Sequence, residues 1–252
     1  MAQWQTLNNP PVVVAMFQIR YDMAGIKLDD FSRFDEILRR DLTERNDAFQ
    51  ASISIPNTTS IPLGKSQVLG ETDARRSGFE YFSKEQKRKF SINEGTITYI
   101  DETFYKGWDA FKGEIVKYLK ILSPVLEKTT VQRTSIRFIN QFRFDHDEFD
   151  DPGDYFNTLV TAKSEDGMFS HPVLKYGFQM SFEMGESVIS HVKQHAEKLS
   201  DNIIYTFDID VLDYHNLIYN VESIDATLED LRNHKNGIFF NNLTPKTLER
   251  CN

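Results

Sequence analysis

Arg133, Arg137 and Arg143 occupy alternate positions of one apolar-rich run, Val131 to Phe144, with Ser135 and Gln141 between them. Residues two apart on a strand project to the same side, so the run would line up three guanidinium groups along one face. Guanidinium forks match phosphate and carboxylate oxygens, which makes the row a candidate binding stripe for an anion. Arg20, near the end of an earlier run that opens at Val12, joins the stripe if the two strands are equivalents on one surface. A second set is His191, Lys193 and His195, alternating on one run, with Asp208 and Asp210 two apart on the next. If those runs pair, His191, His195, Asp208 and Asp210 form two imidazoles and two carboxylates, a set suited to a divalent metal or to acid-base work. The competing structural account is simpler. Asp208 and Asp210 face the arginines as cross-strand ion pairs, and the histidines lie on a solvated face.

Other strings carry less. Gly64-Lys65-Ser66 looks like the end of a phosphate loop, but Thr59 stands where the first glycine is required and no strand-to-helix junction surrounds it. The acidic run from Asp145 to Asp151 lacks the glycine and distal glutamate of a helix-loop-helix calcium site. No Gly-x-Ser-x-Gly string occurs, and the single Cys251 is next to the last residue. Asn140 is the one polar residue in the row Ile136, Phe138, Phe142 and Phe144, so its amide must be satisfied, and pinning of a neighbouring loop is the expectation.

The elements that would position these residues are an opening strand over 12–22, with Val13, Ala15, Phe17, Ile19 and Tyr21 on its core face, and a helix over 30–47 capped by Asp29 or Asp30. A short strand from Phe49 to Ile55 precedes a turn-rich loop over 57–77. Strands follow at 78–83, 87–93 and 96–101, the last two joined as a hairpin through Asn93-Glu94-Gly95. A helix over 106–122, ended by Pro124, buries Trp108, Phe111, Ile115, Leu119 and Leu122. The second pass places strand 131–144, a short helix near 153–162, strands at 174–184, 187–195 and 202–212, and a long helix capped by Ser223. A terminal helix is capped by Thr244, with Pro245 in its first turn. The fold class is α+β: two tandem β-α-β(3-4)-α units, 1–127 and 128–252, each a curved antiparallel sheet packed on a long helix and the two fused into one body.

With 252 residues, 20 Phe and 10 Tyr, the chain can bury a large, sheet-rich core. A formal charge of −9 opposes nonspecific attraction to nucleic acid or anionic membrane. No apolar run nears the roughly 20 residues of a spanning helix. One cysteine, and no basic stretch leading into an apolar one, point to a reducing cytoplasm.

The order of elements resembles the duplicated fold of the TATA-binding protein and, more loosely, helix-grip folds, a likeness of architecture that carries no function. Four strings, Pro10-Pro11-Val12-Val13 leading into Phe17-Gln18-Ile19-Arg20-Tyr21, Gly107-Trp108-Asp109-Ala110-Phe111, Arg137-Phe138-Ile139-Asn140 and Phe239-Phe240-Asn241-Asn242-Leu243-Thr244, resemble a sporadically distributed prokaryotic TIGR family of about this length. The likeness covers nearly the whole chain and implies a standalone cytoplasmic, bacterial protein without established catalytic residues. Val14 departs from the acidic residue those proteins often carry there. The leading reading is a non-enzymatic binding or regulatory protein that recognises a partner, a protein or a small anionic ligand, through a saddle-like sheet surface. It needs no cofactor, and a paired strand edge offers a homodimer contact. The alternative is an enzyme acting on a nucleotide or nucleic acid, with arginines on phosphate and the His/Asp group as its machinery.

Overall fold

The computed structural model describes residues 4–53, 72–103, 105–146, 148–149, 152–157 and 175–252. Its centre is one antiparallel sheet. The strands are β1 (Val12–Tyr21), β2 (Glu44–Ile53), β3 (Thr72–Ser83), β4 (Arg88–Asn93), β5 (Thr96–Asp101), β6 (Thr130–Phe144), β7 (Lys175–Glu183), β8 (Val188–Lys198) and β9 (Ile203–Asp213), with a two-residue β10 (Leu217–Ile218) beside β6. Their order is β2-β3-β4-β5-β1-β6-β9-β8-β7, so β1 and β6 form the middle and β2 and β7 the edges. The helices are α1 (Asp35–Leu38), α2 (Trp108–Leu126), α3 (Val221–Asn241) and α4 (Pro245–Arg250). No helix among the described residues is long and apolar enough to cross a membrane.

Alternation along the strands separates two faces. Phe17 and Ile19 of β1, Ile136 and Phe138 of β6, and Phe207 and Ile209 of β9 are buried on the face that carries the helices. Phe111 of α2 meets the rings of Tyr99 and Phe138, and Phe239 of α3 stacks on Phe207. Burial of one such Phe is worth about 1.5–3 kcal/mol, and aromatic pairs add somewhat more. The other face bears Arg20, Arg133, Arg137, His191, Lys193, Asp208 and Asp210, the opposite parity on the same strands.

Several local expectations are corrected. The apolar spacing of Phe31, Phe34 and Leu38 is met by a 3-10 turn (Leu28–Phe34) running into the single-turn α1, and residues 44–47 are already in β2. Lys27, with Asp30 accepting its backbone N–H at 2.8 Å, takes the cap position given to Asp29 or Asp30. Pro124 lies inside α2, which runs past it to Leu126 although the proline cannot donate a ladder bond, so it does not end the helix as expected. Asn220 caps α3, its side chain accepting from the N–H of Ser223 at 2.9 Å. Val13 is 37% exposed because a bulge between Val12 and Val14 breaks the alternation. Residues 72–77 belong to β3, while the 57–71 part of the expected loop lies outside the described residues. Near 153 there is only a 3-10 turn, Pro152–Asp154, and 158–162 again lies outside. Thr244 and Pro245 open α4 as expected.

Candidate functional site

On the helix-free face the row predicted from β6 forms. Arg137 pairs in register with Asp210, which faces His191, which faces Ser181 on the edge strand β7. Arg137 does not spend itself on Asp210. It donates through Nε and a terminal nitrogen to both oxygens of Asp208, at 2.8 and 2.6 Å, in a bidentate fork. Ser181 Oγ and His191 Nδ1 lie 2.7 Å apart. Arg137, His191, Asp208 and Asp210, together with Gln179 and Lys193, border a hollow of about 130 Å³. His195, opposite Thr206, is not part of that border. Burial, more than the neighbouring carboxylate of Asp208, holds the Asp210 carboxyl above its ordinary range, against the pull of Arg137. Among the described residues no three His, Cys, Asp or Glu side chains gather closely enough to hold a metal ion.

Further along the same face, Arg20 and Arg133 stand directly opposite each other on β1 and β6. Arg133 donates to the Gln18 side chain, and its Nε is buried without a hydrogen-bond partner among the described residues. Neither guanidinium makes an ion pair among the described residues. Arg143 is exposed toward the end of β6, its carbonyl accepts from Arg250 at 3.1 Å, and its guanidinium makes no ion pair among the described residues.

The larger feature lies on the helix side and was not anticipated. A cavity of about 610 Å³ opens between the start of α2, the second half of α3, Asn140 of β6 and an N-terminal strap, residues 4–12. The strap is held at both ends. Trp4 stacks on Phe240 with ring centroids 5.5 Å apart and donates to Asn233 at 3.2 Å, while the N–H of Asn9 donates to the Cys251 carbonyl at 2.8 Å. Asn140 does not pin a loop. Its amide donates at 2.9 Å to the carbonyl of Phe207 on β9. Lys235 projects from α3 over the Phe138 ring, Nζ 4.5 Å from its centroid, and makes no ion pair among the described residues. Burial, with the nearby Arg232 charge, brings its ammonium down to about 7. The rim is tied by Glu229, which accepts from Trp108 Nε1 and Lys112, both at 2.8 Å, and from Arg232 at 3.3 Å. Burial works against the ionised Glu229, but these hydrogen bonds prevail and hold its carboxyl below the usual range.

One signal for this cavity was present in the sequence. Lys235 sits four residues from both Leu231 and Phe239, on the apolar stripe of α3, where a cation breaks the pattern. No family model matches the chain, no curated protein matches it, and no solved structure matches it.

Proposed function

We propose that the chain is a non-enzymatic binding protein that recognises an anionic group of a partner protein through the helix-free face of its sheet. The observation that carries this reading is the Arg20–Arg133 pair: like charges directly opposite on neighbouring strands repel, and neither guanidinium is neutralised by an ion pair among the described residues. An acidic or phosphorylated side chain laid across β1 and β6 would do so. Arg137, which an enzymatic reading would set on phosphate, is already committed to Asp208, and this favours binding over chemistry. The strand order runs outward from the β1–β6 middle as β5-β4-β3-β2 on one side and β9-β8-β7 on the other, which supports a tandem pair of units forming a saddle like that of the TATA-binding protein. The resemblance to the sporadically distributed prokaryotic family accords with a cytoplasmic binding role, and either free edge strand could join two copies.

The test is affinity capture from the source cells with the tagged protein and with an Arg20→Glu/Arg133→Glu variant. The wild type is expected to retain a protein that the variant loses at an unchanged melting temperature. Identical retention by both would overturn the reading.

A further inference from the structure

The helix-side cavity is separate from the face just discussed. α2 begins in it at Gly107, whose φ of 102° suits glycine, and no side chain caps the helix. Trp108, Asp109 and Ala110, whose N–H groups are among the four that a helix start leaves without an intrahelical partner, stand in the cavity wall at the positive end of the helix dipole. A bare helix start would say little alone. Here two deeply buried side chains share the same space. Asn236 is 6% exposed, lines the cavity and makes no hydrogen bond among the described residues. Asn140, 2% exposed, uses its Nδ2 on backbone carbonyls, and no described group donates to its Oδ1.

Charge points the same way. Among the described residues, the basic side chains bordering the cavity are Lys106, Arg232 and Lys235 against the acidic Asp109 alone, and Lys235 lies over the Phe138 and Phe239 rings with the Arg232 charge nearby. Burial and the Arg232 charge depress the basicity of Lys235, and an anion placed beside it would offset both. Five aromatic side chains also line the cavity: Trp4 and Phe240, stacked, with Trp108, Tyr105 and Phe239. About 610 Å³ falls within the roughly 300–1,000 Å³ of small-molecule sites.

We propose that this cavity binds a small molecule carrying an oxyanion on a planar ring, the oxyanion at the start of α2 beside Lys235 and Asn236, the ring among the aromatic side chains. Phosphate and carboxylate share the required chemistry. The helix start favours the negative charge, Lys235 and the Asn236 amide donate to its oxygens, and the rings cover the apolar body.

The two tryptophans of the chain, Trp4 and Trp108, both border the cavity, so their emission reports on its occupant. The full-length protein would be titrated with phenyl phosphate, with benzoate and with neutral benzamide. At least one anion should shift the emission and bind ten or more times tighter than benzamide, and the tighter anion names the oxyanion. Lys235→Met and Asn236→Ala, each checked by circular dichroism, should weaken that anion threefold or more, whereas Lys193→Met on the opposite face should not. Should Lys235→Met fail to fold, Asn236→Ala carries the test. Benzamide binding as tightly as both anions, unchanged affinity in the folded variants, or no emission change with either anion at millimolar concentration would overturn the proposal. None of these results depends on whether a partner protein binds the sheet.

Discussion

Asp208 and Asp210 are two residues apart on one strand and face the same arginine, yet their energetics are opposed. Asp208 is 7% exposed and holds Arg137 through both oxygens, so replacing it leaves a half-buried guanidinium without its partner. Asp208→Asn is expected to cost about 1–3 kcal/mol in urea denaturation at neutral pH. Asp210 has its carboxyl raised, chiefly by burial, so the folded chain holds that proton more tightly than the unfolded chain does. The group therefore favours folding at acid pH and loses that contribution as pH rises through its folded value. Asp210→Asn should leave stability at pH 7 unchanged or higher, and the difference from wild type should shrink toward pH 4, near the unfolded carboxyl value of about 3.9. A loss at pH 7 as large as that of Asp208→Asn would show that Asp210, too, is a structural counter-ion.

Element boundaries depend on contacts that local spacing does not reveal. β3 passes so close to β4 at Gly78 that an added Cβ would lie 2.5 Å from the Ile92 carbonyl oxygen and nearer still to the Asn93 amide. Gly78→Ala should lower stability by about 1–3 kcal/mol through the backbone shift it forces, and an unchanged urea midpoint would refute that close approach. Where alternation was clean, as in β5 and β6, the sequence sufficed to place the strand within a residue. It failed over 30–47, because Phe31, Phe34 and Leu38 satisfy a 3-10 turn as well as a helix, and the ladder between β2 and β3 claims Glu44 onward. Arg137, His191, Asp208 and Asp210 could be placed together from the sequence because period-two spacing fixes which face they share. The cavity could not, since it joins Trp4 to Asn233 and Trp108 to Glu229, pairs separated by 229 and 121 positions.

At the scale of the molecule, the proposed boundary at 127/128 cuts through contacts rather than between them. β1 pairs with β6 along nearly its whole length, Phe138 of one side packs against Tyr105, Trp108 and Phe111 of the other, and Lys112 of α2 reaches Asp225 and Glu229 of α3. Residues 1–127 and 128–252 expressed apart should each expose an unpaired central strand and an apolar face, and neither should unfold cooperatively, while co-expression should restore a soluble pair. Two independently folded monomers would refute this. Arg137 and Asn140 lie three positions apart on β6 and look in opposite directions, one to the bare surface, the other into the cavity. A single thickness of backbone is thus the partition wall between the two proposed recognition surfaces. Because side chains trade sides with every step, inserting one amino acid upstream in that strand would turn guanidinium groups into the greasy interior and phenyl rings out to water, erasing both surfaces in one stroke.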